Sequence, residues 1–465
     1  MRAFRWVHRG RLAAAVAAVV LTGCSTGTTQ AGGTGDAAAR VYVPPGQYDE
    51  FYMFASGGFS GQVSVYGLPS GRLLRVIPVF SQDPEKSYGY SEQSKPMLET
   101  SYGFIPWDDA HHPSLSKTDA LNDGRWLFIN GNNTPRIARI DLAEMNTKEI
   151  IEIPNGAGNH ASPFVTQGTE YVVSATRFSV PTPQKDVPIA SFKENFSGLI
   201  SFVAVDPQSG KLTLGFQVHV PGFDYDLARP GKGPSHGWAF FTSYNTEQAN
   251  SLKERNASQN DKDVIAAVNW KQGEQCVAQG KATVWPARYA HNWVDEADVA
   301  HSEMLTATRV LEPADCPGLI YYIPTPKSPH GVDVDPSGEF FAAGGKLAAI
   351  VPVFAFSKLQ QAIAGKAFDK ELNGIPVLKY ESVLSCEVRD NPGLGPLHTE
   401  FDANGNAYTS MFLSSEITKW RVKDCAVLDR IPTYYSIGHL LVPGGDTRQP
   451  DGKYVIALNK ITKDR

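Results

Sequence analysis

The segment Asp123-Gly-Arg-Trp-Leu-Phe-Ile129 places an Asp-Gly turn directly before aromatic and aliphatic residues, which is the pattern of a tight turn followed by a short strand. Turns with Asp and Gly before similar runs recur at Asp335–Phe341, Asp402–Tyr408 and Asp451–Ile456, with a weaker copy at Asp206–Leu214. Such units, repeated at intervals of tens of residues, favour a β-propeller, because each blade must stack on its neighbours to bury its faces. We therefore predict an all-β propeller.

The N-terminus has the pattern of an export signal. Four arginines precede Leu12–Leu21, a run of ten apolar residues that is too short to span a bilayer but suits a signal peptide. The following Leu21-Thr-Gly-Cys24 has the form of a bacterial lipobox, so we expect a lipid anchor at Cys24. An ordinary signal peptide cleaved nearby is the alternative. The expected divisions are a signal peptide with its lipobox, a flexible linker and a folded body, at residues 1–24, 25–44 and 45–465.

Export places the mature chain in the periplasm or on the outer face of the cell envelope. Its roughly 440 residues exceed the usual size of one compact core unless the architecture is a repetitive all-β one. The net charge is −5 and the basic residues are scattered. The composition therefore gives no indication of a nucleic-acid partner.

Four cysteines remain after Cys24, an even number in an exported chain. Two structural disulfides are the economical interpretation, and the simplest pairing joins Cys276 to Cys316 and Cys386 to Cys425. The two other pairings that four cysteines allow remain open. Cysteines held in disulfides are poor candidates for metal ligands.

The segment Asp108-Asp-Ala-His-His-Pro-Ser-Leu-Ser116 carries two adjacent histidines. Neighbouring side chains point in different directions on an extended backbone, so His111 and His112 can share a site only if a turn at Pro113 brings them together. A surface loop is the alternative. Four further histidines lie in short Gly-, Pro- or Ser-rich loops beside strand-like runs, where functional residues of β scaffolds collect: His160, His330, His398 and His439.

The repeats give these histidines a common geometry. His330 lies five residues before Asp335, and His398 lies four residues before Asp402. Equivalent positions in successive blades converge on the axis of a propeller, so residues distant in sequence can form one ring of imidazoles. Six imidazoles without nearby thiolates favour copper or another imidazole-preferring transition metal over a structural zinc.

Seven segments of the chain resemble the N-terminal propeller of nitrous oxide reductase, from near residue 45 to the last residue. They are Tyr52–Gly58, Asp109–Ser114, Asp123–Asn130, Ser328–Gly331, Leu394–His398, Gly405–Tyr408 and Leu458–Arg465. The lipobox, together with the lack of a twin-arginine pair, resembles the branch of that family that is exported unfolded.

The resemblance implies a seven-bladed propeller that holds a four-copper, sulfide-bridged cluster (CuZ), where nitrous oxide is reduced to dinitrogen and water. Six of the seven histidine ligands of that family match this sequence at His111, His112, His160, His330, His398 and His439. The seventh is expected downstream of Arg465, as is the cupredoxin-like domain with the dinuclear copper site (CuA) that receives electrons. We therefore expect a C-terminally truncated fragment that has an incomplete last blade and is inactive alone.

The resemblance also implies a catalytic role for Lys460, since a family lysine close to the cluster matches this position. A solvated strand edge is the alternative for this lysine. Three residues resemble a calcium site of the family, and they would otherwise be ordinary loop residues: Tyr244, Glu247 and Asp263. The remaining histidines of the mature chain do not fall on family ligand positions, and we exclude them: His219, His236, His291 and His301.

Two function classes follow from the sequence. The first is the copper-bearing part of an exported nitrous oxide reductase, with nitrous oxide as substrate, a c-type cytochrome or cupredoxin as electron donor, and a homodimer as the complete form. The alternative is a non-catalytic, lipid-anchored propeller that binds a partner or stores copper. Six histidines at ligand positions favour the first.

Overall fold

The computed structural model describes residues 3–4, 39–183, 185–222, 224–244 and 263–460. Cys24, most of the predicted signal peptide and linker, and Glu247 lie outside these ranges. Within them, no helix is both long and apolar enough to cross a membrane. Nearly all regular structure in the described residues is β-strand.

The strands form the blades of a propeller. Blade one consists of β2 (Phe51–Ser56), β3 (Gln62–Leu68) and β4 (Leu73–Pro78). Blade two consists of β7 (Ala110–Thr118), β8 (Leu121–Gly131), β9 (Arg136–Asp141) and β10 (Asn146–Glu152). Blade three consists of β11 (Phe164–Val165), β12 (Tyr171–Ala175), β14 (Phe196–Val205) and β15 (Leu212–Val220). Blades four and five consist of β16 (Tyr225–Pro230), β17 (Trp238–Ser243), β18 (Val264–Asn269) and β21 (Ile320–Pro324); and β22 (Pro329–Val334), β23 (Phe340–Gly345), β24 (Val351–Ala355) and β27 (Leu384–Val388). Blades six and seven consist of β28 (Pro396–Phe401), β29 (Asn406–Met411), β30 (Glu416–Arg421) and β31 (Val427–Pro432); and β32 (Ile437–Leu441) and β33 (Val455–Asn459).

Short elements connect or flank the blades. The remaining strands are β1 (Ala3–Phe4), which pairs with β33, and β5 (Glu99–Thr100), β6 (Gly103–Phe104), β13 (Val180–Pro181), β19 (Thr283–Val294), β20 (Ala300–Leu311), β25 (Phe368–Leu372) and β26 (Ile375–Leu378). The α-helices are α1 (Phe192–Asn195), α2 (Trp270–Ala278), α3 (Phe356–Ala364) and α4 (Tyr380–Val383). The 3₁₀ helices are Lys95–Leu98, Ile189–Ser191, Gly233–Ser235 and Pro313–Asp315.

The blades close into a ring. The first strand of each blade from β7 to β32 contacts the first strand of the next blade. Between blades seven and one, Ile456 packs with Met53 and Ala55 in one apolar cluster. The predicted seven-bladed β-propeller is therefore confirmed.

Aromatic and aliphatic side chains fill the spaces between blades. Phe240 of blade four and Phe341 of blade five, for example, stack with ring centroids 4.2 Å apart. Burial of one such side chain stabilises the fold by about 1.5–3 kcal/mol. The apolar side chains that alternate with polar ones along the strands therefore pack each sheet against its neighbours.

A long hairpin, β19–β20, leaves blade four and crosses to two other blades. There β19 pairs with the outer strand β10 of blade two, and β20 pairs in parallel with β15 of blade three. His291 on β19 contacts the buried carboxylate of Glu149 on β10, with 2.7 Å between Nε2 and Oε1. A shorter hairpin, β25–β26, similarly extends the outer edge of blade four.

The cysteines form the two disulfides that the simplest pairing predicts, Cys276–Cys316 and Cys386–Cys425. The first joins α2 to the segment before β21, within blade four. The second joins β27 of blade five to the turn after β30 of blade six. This second bond therefore links two neighbouring blades covalently.

Blade one differs from the others in the direction of its first strand. Strands β7, β16, β22, β28 and β32 all begin at the same end of the central channel, where the histidines of the predicted ring lie. We call this the ring end and the opposite one the far end. Gly58, just after β2, pairs with Ala110 at the start of β7, so β2 finishes at the ring end instead. It therefore corresponds to the second strand of a blade. In the described part of the chain, no strand pairs with the channel-facing edge of β2.

Candidate metal centre

Six histidines meet at the ring end of the channel. Centroid distances between neighbouring imidazoles are 4.5 Å for His111–His112 and 4.8 Å for His111–His160. Continuing around the ring, the distances are 5.6 Å for His160–His330, 4.9 Å for His330–His398, 4.7 Å for His398–His439 and 5.4 Å for His439–His111. The structure thus brings together all six residues that the sequence singled out.

The same backbone irregularity aims most of these side chains at the axis. His111 and His112 begin β7, and the register against β8 shifts between Ala110 and Pro113. Equivalent shifts occur across His330 on β22, His398 on β28 and His439 on β32. A β-bulge rotates a side chain relative to the pleat and is common beside functional sites. The predicted turn at Pro113 was therefore wrong, because a bulge within a continuous strand brings the histidine pair together.

Most of the imidazoles are buried, and several of their nitrogen atoms are unpaired. The Nε2 atoms of four of them have no hydrogen-bond partner among the described residues: His112, His330, His398 and His439. Ligand nitrogens of His111, His112 and His439 lie within 4.8 Å of one another. Buried polar atoms are normally satisfied, so this cluster of orphan nitrogens is a donor set that fits a metal ion.

Burial favours the neutral form of five of these imidazoles. Desolvation lowers the pKa of His330 to about 4, and it lowers the pKa of the other buried ring histidines well below the ordinary value: His112, His160, His398 and His439. Neutral imidazole is the form that binds a metal. The donor set therefore fits copper at ordinary pH.

The second imidazole nitrogen, Nδ1, is held by a hydrogen bond in several of these histidines. Nδ1 of His112 donates to the carbonyl oxygens of His160 and Ser162, at 2.9 and 3.1 Å. Nδ1 of His330 lies 2.6 Å from Oδ2 of Asp226, and Nδ1 of His160 donates to the backbone carbonyl oxygen of Asp226 at 2.5 Å. Such contacts fix the tautomer and orientation of a metal-binding imidazole.

Comparison with known proteins adds a family to this geometry. Residues 430–465 match the family model described as nitrous oxide reductase propeller repeat. A nitrous-oxide reductase of Stutzerimonas stutzeri is 31% identical over 468 residues, covering 97% of this chain and 67% of that protein. The chain belongs to the nitrous-oxide reductase family. A second member, from Pseudomonas fluorescens, is 31% identical over 442 residues, covering 92% of this chain and 63% of that protein.

This chain spans about two thirds of the length of these nitrous-oxide reductases. Among solved structures, the WD40 repeats of RRP9 align with a TM-score of 0.47 and 10% identity. That alignment covers 89% of this chain and 86% of the other.

Asp226 is a site residue that sequence reasoning missed in this member of the nitrous-oxide reductase family. It is the second residue of β16, the position that His330 holds on β22, and it is fully buried. Although burial raises its pKa, Lys346 and His330 hold that pKa well below the usual range. Nζ of Lys346 lies 3.0 Å from Oδ2, and a guanidinium nitrogen of Arg177 lies 3.7 Å from Oδ1. The sequence offers no motif for this position, only an acidic residue between an aromatic and an aliphatic one.

The two carboxylates before the histidine pair have different roles. Asp109 faces the ring, with 3.4 Å between its Oδ2 and Nδ1 of His111. Asp108 is fully buried away from it and accepts hydrogen bonds from Arg136 and from the backbone of Asn133 and Thr134. It therefore anchors the loop, and only Asp109 is placed to orient a ring imidazole.

Lys460 lies beside the ring. Its side chain approaches Gly438, the residue before His439, and its backbone N–H donates to the carbonyl of Ser436 at 2.9 Å. Desolvation lowers the pKa of the ammonium, and Lys346 and Arg177 lower it further, although Lys460 as a whole is exposed. Its catalytic role stays a prediction.

Two of the three expected calcium ligands lie in described residues close to the ring end. Oδ1 of Asp263 accepts the N–H of Ser328 at 2.8 Å, which holds the loop that leads to His330. The Tyr244 ring carries the guanidinium of Arg177 at 4.9 Å from its centroid. The third residue, Glu247, lies outside the described residues, so the calcium site stays a prediction.

The four histidines excluded as ligands all lie elsewhere. Each has a carboxylate partner, in the pairs His219–Glu312, His236–Glu170, His291–Glu149 and His301–Asp295, with nitrogen–oxygen distances of 2.7–2.9 Å. One nitrogen of each serves a local ion pair, and Nε2 of His219 is buried without a hydrogen-bond partner among the described residues. The ring histidines differ because most of them keep Nε2 unpaired.

Proposed function

We propose that this propeller holds the four-copper, sulfide-bridged cluster of a nitrous oxide reductase and is the part in which nitrous oxide is reduced. The observation that carries the proposal is the ring of six buried or half-buried imidazoles, four of which present an unpaired Nε2. In the reaction, nitrous oxide, two protons and two electrons give dinitrogen and water. The cluster would supply the electrons to the substrate from several metal ions at once.

The protein residues would hold and orient the ligands and manage charge. The backbone carbonyl and the carboxylate of Asp226 hold the imidazoles of His160 and His330, from blades three and five, in one orientation. Lys346 and Arg177 neutralise that carboxylate. We propose that Lys460 donates a hydrogen bond or a proton at the substrate oxygen, which its position beside His439 and its lowered pKa support.

We place the expected seventh imidazole at the open edge of β2. A cavity of about 290 Å³ lies there, lined by Phe51–Ser56, His111–Leu115 and His439–Val442 among others. An extended segment pairing with β2 would occupy the innermost position of blade one, next to His111, His112 and His439.

Metal analysis tests the proposed function. The chain is expressed with the machinery that assembles the cluster, and copper and acid-labile sulfide are measured per chain. Copper together with sulfide supports the proposal. Copper without sulfide favours copper storage, and absence of both favours a propeller that only binds a partner. His291→Ala, outside the ring, is the matched control for any ring variant.

We further propose export to the periplasm or the outer face of the envelope, which the two disulfides support. The lipid anchor at Cys24, bound calcium, the electron donor and a homodimer of the complete enzyme are proposals that rest on the sequence resemblance. Mass spectrometry of the mature N-terminus would test the anchor directly.

A further inference from the structure

Charged side chains converge at the far end of the channel, opposite the histidine ring. We call them the far-end belt, and they come from five blades: Lys117, Arg229, Asp333, Glu400 and Asp446. Arg229 lies 2.7 Å from Asp333 and 3.9 Å from Asp446, measured from guanidinium nitrogens to carboxylate oxygens. The belt therefore crosses the channel.

The contact between blades two and seven is the part of the belt that concerns the ring. Nζ of the buried Lys117, near the end of β7, lies 2.6 Å from Oδ2 of Asp446, in the loop after β32. Beside it, Arg448 donates its backbone N–H to the carbonyl of Ala120 at 3.1 Å and forms an ion pair with Asp119 at 2.6 Å. We call these three contacts the clasp. The two residues of its Lys117–Asp446 pair are 329 positions apart in the sequence.

The two strands that the clasp joins carry the closest group of potential metal ligands. His111 and His112 are on β7, and His439 is on β32. Blades two and seven flank the open edge of β2, so among the described residues no first strand of a blade stands between β7 and β32. Their separation at the ring end must depend on packing and on what joins them at the other end.

We propose that the Lys117–Asp446 pair is a positioning device that sets the spacing of His111, His112 and His439 from the far end of the channel. The low dielectric of the buried site strengthens the pair. Although burial raises the pKa of Asp446, Lys117 and Arg229 hold it well below its usual range, so the pair stays charged. This inference rests on the proposed metal-binding role of these histidines.

The test is anaerobic titration of the apo chain with cuprous ion in competition with a chromophoric chelator. Asp446→Asn keeps the shape of the side chain and removes its charge, and we expect it to weaken copper binding about 2- to 30-fold, the range for residues that act on a site through packed neighbours without touching the ligand. Lys117→Met should have a similar effect, and the double variant should be no weaker than either single one. Lys117→Arg, which keeps the charge, should restore affinity to within a few-fold.

Arg139→Met is the matched control, because it breaks a similarly buried ion pair to Glu149, 2.9 Å long, that does not join blades two and seven. It should lower the melting temperature but leave copper affinity unchanged. The positioning role is wrong if Asp446→Asn binds copper as tightly as the unaltered chain. It is also wrong if Arg139→Met weakens copper binding as much as Asp446→Asn does. If the unaltered chain binds no copper, the proposed function itself fails. Should Lys117→Met not fold, Asp446→Asn and Lys117→Arg still decide the question.

Discussion

The two ends of the channel differ in how their buried polar groups are satisfied. At the ring end, the Nε2 atoms of His112, His330, His398 and His439 have no partner among the described residues. At the far end, Lys117 and Arg229 meet the carboxylates of Asp446 and Asp333. Leaving polar atoms buried and unpaired costs free energy, so a fold retains such a cluster where a ligand will satisfy it. One end therefore presents unpaired nitrogen atoms that could bind a metal, and the other joins the blades.

The strongest test of this difference removes ring imidazoles. Replacing His330 or His398 with Ala should abolish copper loading and, in the full-length enzyme with reduced viologen, the reduction of nitrous oxide. His291→Ala should leave activity within a few-fold, because its imidazole contacts Glu149 on the outer strand of blade two. Equal losses in all three variants would mean that the ring is assigned wrongly.

Breaking the far-end belt should affect stability first. Arg229→Met leaves the buried Asp333 without its cation, and breaking a buried pair costs about 3–5 kcal/mol of unfolding free energy. Urea denaturation measures the change. Arg421→Met, which breaks the exposed pair with Asp424, is the control and should leave the unfolding midpoint unchanged. Similar losses in both variants would argue against a structural role specific to the belt.

The disulfide between blades five and six should matter less. Replacing Cys386 and Cys425 together with Ser should lower the free energy of unfolding by roughly 2–5 kcal/mol, since the unfolded chain gains freedom. Copper spectra should not change, because neither sulfur is near the ring. Free thiols in the native mature protein would contradict the assignment.

The smallest expected effect is the pH dependence of the apo protein. The folded-state pKa of His330, about 4, lies below its unfolded value of about 6.5, so the unfolded chain binds more protons between these values. Its contribution is fully present above pH 6.5 and declines as pH falls towards 4, by about 2 kcal/mol at pH 5. Comparing the unaltered apo chain with His330→Gln by urea denaturation at pH 7 and pH 5 isolates the contribution of His330 to the free energy of unfolding. Parallel losses in both would show that other groups dominate.

Much of the fold and the site could be predicted because the relevant signals are local. The Asp-Gly turn at Asp123–Ile129 and its repeats indicate strands and a propeller, since turn chemistry and side-chain alternation act over a few residues. The six histidines stand out by their loops, and the resemblance to nitrous oxide reductase assigned them to one site. Even the disulfide pairing followed the simplest order along the chain.

Only the tertiary structure decided the contacts between segments that are far apart in sequence. Asp226 holds His330 from 104 residues away, and Lys117 meets Asp446 across 329 residues. No local pattern encodes such pairs, because each partner looks like an ordinary strand or loop residue until the blades close. The bulge that turns His111 and His112 to one side also depends on pairing with β8. The sequence by itself therefore determined which imidazoles are available, and the closing of the ring decided what orients them.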